Sequence, residues 1–166
     1  CAYIKDIVDY MSVSYKKKGI KFVFEKNKDL DDIKVPIDKD KIKQVFFNLF
    51  ANAVKFIPEK DGRVVVKIEK GAGNYVQISV CDNGPGIDRN DLKKVFDRFK
   101  QSSNVDGASQ SGTGLGLHIS KQIVLGHGGD IWAESSKCEG ARFVFTLAIS
   151  REKPKILVID NDEFSL

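Results

Sequence analysis

RVVVKIEK GAGN YVQISV CDNGPGI, residues 63–87, is the stretch that decides the architecture. Arg63 to Lys70 and Tyr75 to Val80 alternate apolar and polar side chains, the period-two pattern of strands with one buried face. Gly71-Ala72-Gly73-Asn74 joins them, so the two strands form an antiparallel hairpin. A glycine-rich loop, Asp82-Asn83-Gly84-Pro85-Gly86-Ile87, follows at once.

Outward toward the N-terminus, Asp61-Gly62 and Pro58 mark a turn, and before it Asp38 caps a helix running to about Phe56. Val35-Pro36-Ile37 is a short extended piece, preceded by a charged turn through Asp29, Asp31 and Asp32. Ile20 to Lys26 alternates as a strand. Ile4, Ile7, Val8 and Met11 recur at helical spacing and end in lysines and Gly19, which predicts a helix over 2–18.

Outward toward the C-terminus, Asp88 caps a predicted helix carrying Leu92, Val95, Phe96 and Phe99 on one side. Residues 100–113 are Ser, Gln, Asn and Gly with few apolar anchors, the composition of a functional loop or of disorder. A helix over about Leu115 to Leu125 turns Ile119, Ile123 and Val124 inward and stops at Gly126, Gly128 and Gly129. Strands Ile131 to Glu134 and Arg142 to Ala148 flank a turn at Lys137 to Gly140. Helices mixed with a hairpin imply an α+β layered sandwich rather than a doubly wound parallel sheet.

A chain of 166 residues with 42% hydrophobic content builds one domain with a real core. Its 27 basic and 23 acidic residues leave +4, too small and dispersed a charge to imply nucleic acid. Lys16-Lys17-Lys18 sits where a helix ends and is explained by dipole pairing and solvation. Cys1, Cys81 and Cys138 include no CxxC pair, which argues against a disulfide framework or structural zinc and favours a reducing, cytoplasmic setting. No apolar run approaches the ~20 residues of a membrane span, and no signal-peptide pattern is present. The chain starts at Cys1 rather than Met, so we expect a piece of a longer protein.

A second glycine segment, Gly112-Thr113-Gly114-Leu115-Gly116-Leu117, immediately precedes the predicted helix. Glycine there costs roughly 0.5–1 kcal/mol per residue relative to alanine, and close backbone approach to a phosphate at a helix N-terminus is the natural return. The helix from Asp38 to Phe56 bears one polar stripe, Lys41, Gln44, Asn48, Asn52 and Lys55, on an otherwise apolar cylinder. Asparagine is a poor helix former, and an enclosed amide without a partner costs about 1–3 kcal/mol. Asn48 and Asn52 at i and i+4 therefore point to a shared partner. Hydrated Mg2+ suits them, since it takes oxygen ligands and keeps waters and phosphates in its shell. Lys55, one turn on, can reach a phosphate as a point charge.

The order of these motifs resembles the ATP-binding domain of bacterial sensor histidine kinases, within the Bergerat-type superfamily of gyrase and the heat-shock chaperone ATPases. The resemblance covers about residues 1–150. Asn48 to Phe56 looks like the asparagine box, Asp82 to Ile87 like the first glycine box, Phe96-Asp97-Arg98-Phe99 like the phenylalanine box and Gly112 to Leu117 like the second glycine box. It implies a two-layer α/β sandwich, with a mixed, mostly antiparallel sheet on about three helices.

It also implies ATP and Mg2+ as cofactors. Asp82 would accept from the adenine amino group, with Gly84, Gly86 and Ile87 around the base. Asn52 would ligate Mg2+, while Asn48 and Lys55, the implied catalytic positions, would assist at metal and phosphates. Gly112, Thr113, Gly114, Leu115, Gly116 and Leu117 would hold the triphosphate, and residues 100–113 would be the lid. Phe96 and Phe99 would pack beneath that lid; Arg98 and Lys100 are read first as exposed, solvated charge, with approach to the phosphates from the base of the lid as the alternative.

In the superfamily's ATP-hydrolysing members the position of Asn48 carries a glutamate general base. Asparagine cannot take a proton, which favours a kinase whose acceptor brings its own nucleophile, such as a neutral imidazole. The implied acceptor is a histidine on an upstream dimerising hairpin, followed by an acidic residue. Neither His118 nor His127 fits, and both are expected to be structural.

Residues 1–18 resemble the end of that hairpin or a linker, and 19–150 the catalytic domain. In residues 151–166, Lys155 to Glu163 resembles the first strand and acidic pocket of a receiver domain, with Asn161 where a second acid is common. The implied partners are the hairpin and a response-regulator receiver, with no nucleic acid. The fragment is expected to be monomeric and its parent a homodimer, whose anchoring in the inner membrane is compatible with a cytoplasmic catalytic part. Competing readings are a non-catalytic ATP sensor that docks a partner and an ATP-hydrolysing clamp, which Asn48 disfavours.

Overall fold

A computed structural model describes residues 1–30, 33–58, 60–99, 114–135 and 140–149. The expectations for residues 100–113 and 151–166, including those for Lys100, Gly112 and Thr113, lie outside these described residues.

Helix α1 (Ala2–Tyr15) runs into a 3-10 turn over Lys16–Lys18 that ends at Gly19. Strand β1 (Lys21–Lys26) follows, then helix α2 (Lys39–Phe56), strands β2 (Arg63–Lys70) and β3 (Tyr75–Asp82), and a single helical turn α3 (Arg89–Leu92). Helix α4 (Gly116–Gly126) and strands β4 (Ile131–Ser135) and β5 (Ala141–Ala148) complete the described elements.

The five strands form one sheet in the order β1-β2-β3-β5-β4. Only the edge pair β1–β2 is parallel, with Lys21 opposite Arg63. The remaining pairs are antiparallel, so the sheet is mixed and mostly antiparallel, as expected. The hairpin read from residues 63–80 is present, and β3 extends two residues further, to Asp82.

One face of the sheet packs on the helices. Val64, Val66 and Ile68 of β2, Val76, Ile78 and Val80 of β3 and Phe143, Phe145 and Leu147 of β5 are buried in alternation, the period-two pattern of a half-covered sheet. Against them α2 buries Ile42, Val45, Phe46, Leu49, Phe50 and Ala53. Phe46 meets Phe145 edge-on at 5.7 Å between ring centroids, and Phe50 meets Phe22 at 5.4 Å. The cap of α2 is as read: Asp38 Oδ1 accepts from the amides of Asp40 and Lys41.

Helix α1 shares this core. Ile4, Ile7, Val8 and Met11 are buried with it, Tyr10 stacks on Phe47 of α2, and Tyr3 Oη donates to the Lys39 carbonyl at 2.7 Å. On the opposite face of the sheet, Arg142 bridges Glu134 at 2.9 Å, and Trp132 Nε1 donates to Glu134 at 2.7 Å.

Two local expectations are corrected. The helix predicted after Asp88 closes at Leu92 and gives way to turns, with Phe96 buried edge-on against Phe143 but Phe99 71% exposed at φ +61°. Its backbone is drawn elsewhere: Phe99 N donates to Gly114 O at 3.2 Å, and the Phe96 carbonyl meets His118 Nδ1 at 3.1 Å. These long-range bonds override the local helical spacing. In α4, Val124 points inward and Ile123 packs on the core, but Ile119 is exposed, and Ser120 takes the fully buried position.

Candidate functional site

The two glycine segments meet the same helix at different heights. A Cβ on Gly84 would lie 3.2 Å from the Phe56 carbonyl, at the C-terminal end of α2. A Cβ on Gly116 would lie 3.3 Å from Asn48 Oδ1, midway along it. Eight residues of helix separate Asn48 from Phe56, about 12 Å. Asn52 and Lys55 fall between them. That spacing matches the reach of a nucleotide from base to phosphate chain.

Asp82 occupies one end. It continues the inward row of Val76, Ile78 and Val80, so the pleat that buries those valines and isoleucine also turns a carboxylate inward. Burial pushes its carboxyl above the usual carboxylate range, while hydrogen bonds from Gly84 and Ala141 amides act against the rise. Both bonds fall on Oδ1, at 2.9 and 3.2 Å. No described residue donates to Oδ2, which leaves one carboxylate oxygen available to a ligand amino group.

The loop after Asp82 is held open by neighbours. Asn83 Oδ1 accepts from Arg63 N at 2.8 Å, and its Nδ2 donates to the Asp61 carbonyl at 2.9 Å. Ile87 N donates to Ser135 Oγ at 2.7 Å, and Ser135 Oγ donates to the Gly140 carbonyl at 2.7 Å. Gly140 is pressed against β3: a Cβ there would lie 1.9 Å from the Asp82 carbonyl oxygen. Sequence reasoning missed Ser135, Gly140 and Ala141 as supports of Asp82. Only the glycine at the end of a turn was a readable signal.

At the other end, Gly114 takes φ +67°, a left-handed conformation that favours glycine, as Gly86 does at φ +80° in the loop after Asp82. The turn at Gly114 and Leu115 delivers the chain into α4 at Gly116, and the first-turn amides of a helix lack intrahelical acceptors. An anion is favoured at that terminus. Asn48 Nδ2 donates to the Gly116 carbonyl at 2.9 Å and to Ser120 Oγ at 3.1 Å. Ser120 in turn donates to Gly116 O at 2.9 Å. The amide nitrogen is therefore spent on fixing the start of α4, and only Oδ1 of Asn48 remains for a metal or phosphate.

Asn52, one turn on, is half-buried, and its amide bonds to no described residue. Lys55 is exposed, its ammonium 5.2 Å from the centroid of the Phe56 ring. Ile87 and Leu117 are half-buried and pack against the core. The donor set fits the implied cofactors. Asp82 Oδ2 suits a base amino group, α4's amides suit phosphate, and the Asn48 and Asn52 oxygens suit a hard cation that keeps phosphate and water ligands. No cluster of three or more His, Cys, Asp or Glu able to hold a metal occurs among the described residues, so any cation here would depend on such neutral oxygens and on the ligand.

Both histidines bond across elements. His127 Nε2 accepts from Asp38 N at 3.0 Å, and its Nδ1 lies 2.7 Å from the Ile123 carbonyl, joining the end of α4 to the cap of α2. His118 contacts the turn that carries Arg98. No helix among the described residues is long and apolar enough to cross a membrane.

Residues 37–151 match the family model described as histidine kinase-, DNA gyrase B-, and HSP90-like ATPase. Over 148 residues the chain is 40% identical to the sensor histidine kinase WalK of Bacillus subtilis (strain 168), a match covering 89% of this chain and 24% of that protein. The chain thus spans about a quarter of the length of that curated relative. Its fold matches the nucleotide-free catalytic domain of histidine kinase ThkA with a TM-score of 0.73 at 31% identity, covering 89% of this chain and 92% of that one. ThkA solved in complex with the response regulator protein TrrA matches with a TM-score of 0.70 at 28% identity, covering 92% of this chain and 41% of that one. With the mixed five-stranded sheet, the two glycine segments on α2 and the family match over most of its length, the chain belongs to the histidine kinase-, DNA gyrase B-, and HSP90-like ATPase family.

Proposed function

We propose that this chain is the ATP-binding catalytic part of a sensor histidine kinase, which binds Mg-ATP and directs its γ-phosphoryl group to a histidine on the dimerisation hairpin of the parent protein. The observation that carries the reading is Asn48. Its amide nitrogen is bonded to Gly116 O and Ser120 Oγ, and no carboxylate stands in its place to take a proton from water. A neutral imidazole needs no such base, because its unprotonated nitrogen is already a nucleophile.

Mg-ATP, when bound, supplies the phosphoryl group and the cation that offsets its charge. The chain's own residues bind and orient. Asp82 Oδ2 accepts from the base, and Gly84, Gly86 and Ile87 let backbone approach it. Gly114, Leu115, Gly116 and Leu117 present amides to the phosphates, with Gly112 and Thr113 continuing that segment. Asn52, assisted by Asn48 Oδ1, holds the cation, and Lys55 adds a point charge. A response-regulator receiver is the natural next partner, in keeping with the ThkA–TrrA complex.

The test has two stages. Calorimetry with a non-hydrolysable ATP analogue should give Mg2+-dependent binding in the micromolar to millimolar range, about −8 to −4 kcal/mol, lost in Asp82→Asn. Unchanged affinity in that variant sinks the adenine assignment. Adding labelled ATP and the parent's upstream hairpin should label a histidine, and Asn52→Ala should abolish the label. Binding without labelling would transfer the argument to a non-catalytic sensor.

A further inference from the structure

His118 stands in the first turn of α4, and the turn over residues 93–99 engages both of its ring nitrogens. Nδ1 lies 3.1 Å from the carbonyl oxygen of Phe96, an acceptor only, so Nδ1 carries the proton. Nε2 then presents its lone pair, and Arg98 Nε donates to it at 3.1 Å. Arg98 thereby spends one of its five N–H donors on the imidazole. The other four, on Nη1 and Nη2, bond to no described residue and form the planar fork that suits phosphate oxygens. The backbone fixes where that fork stands. Phe99, the next residue, donates its amide to Gly114 O at 3.2 Å, stitching the turn to the segment that opens α4.

We propose that His118, in its neutral Nδ1–H form, is a positioning residue for the phosphate chain: it grips Arg98 by Nε and so presents the Nη pair beside the N-terminus of α4. This rests on the reading that α4's first amides take the phosphates of ATP. An arginine on an exposed turn otherwise samples many rotamers, and its contact with an anion must overcome that freedom. The imidazole removes the freedom before the ligand arrives. His118 itself need not touch the nucleotide.

A merely structural staple between α4 and the 93–99 turn would affect every ligand alike, so two probes separate the roles. Mg2+ with a non-hydrolysable ATP analogue carries the phosphates, and adenosine, followed by NMR chemical-shift titration, lacks them. His118→Ala is expected to weaken the analogue by about three- to tenfold, the scale of one ordinary net hydrogen bond, and to leave adenosine affinity unchanged. The same substitution in an Arg98→Ala background should add nothing. His118→Gln, whose side-chain oxygen can accept from Nε, should restore most of the loss. Equal weakening of both probes, or additive effects of the His118 and Arg98 substitutions, overturns the proposal. Asp82→Asn is the control for the base: a variant that binds both probes normally sinks the adenine assignment, whereas an unmodified chain that binds neither probe removes the ATP reading itself, independently of the coupling between His118 and Arg98.

Discussion

At Asp82 the burial of a carboxyl group costs the ligand-free protein stability. Its carboxyl, buried at the end of a row of core side chains, titrates above the ordinary value, so the folded state binds this proton more tightly than the unfolded state does. Between the ordinary and the raised pKa the native state holds more protons, and stability falls as pH rises through that window. Above it the ionised carboxylate is a standing cost; below the ordinary value the cost is absent. Asp82→Asn retains an oxygen for the Gly84 and Ala141 amides and removes the charge. The ligand-free variant should therefore have a higher thermal midpoint than the wild type at pH 7, and the gap should close as pH is lowered through the carboxylate range. A variant less stable than the wild type at pH 7 would contradict this account.

Among the elements, the joint between α2 and α4 governs the site. Asn48 donates across it to Gly116 O, and a carboxylate in its place has nothing to donate. Asn48→Asp should set acceptor against acceptor and cost about 1–3 kcal/mol in urea unfolding, at an unchanged denaturant slope. The same joint explains what the sequence could and could not reveal. Helix α2 was legible because its cap, Asp38, and its apolar spacing are local signals. So was the hairpin, whose alternation and turn lie within eighteen consecutive residues. One partner of Asn48 was not legible: the i, i+4 asparagines point to a shared ligand, but no local signal shows that Nδ2 of Asn48 is bonded to α4, which leaves its Oδ1 beside the Asn52 amide. Nor was the orientation of α4, which turns Ser120 inward to meet that amide and Ile119 outward. Phe99 was misplaced for the same reason, since its amide is held by Gly114, beyond the reach of any local pattern.

Across the whole molecule, α1, α2, α4 and the sheet share one core, with Val8 and Met11 buried alongside Phe46 and Phe145. The two glycine segments that meet α2 at different heights therefore depend on one cooperative body rather than on separable parts. Within it the strands differ in how far along the chain their partners lie. The β2–β3 ladder closes across Gly71 to Asn74, but every β1–β2 pair joins residues on either side of the whole of α2. This lone parallel pairing has a consequence in time. A hairpin closes within about 1–10 μs, whereas pairing across so long a segment must wait for the chain between to be ordered. β1 should arrive last, after α2 has found the hairpin. In pulsed hydrogen exchange during refolding, the amides of Lys67 and Ser79, which face each other across the hairpin, should gain protection before those of Val23 and Glu25, which face β2. Simultaneous protection would show that β1 belongs to the folding nucleus instead.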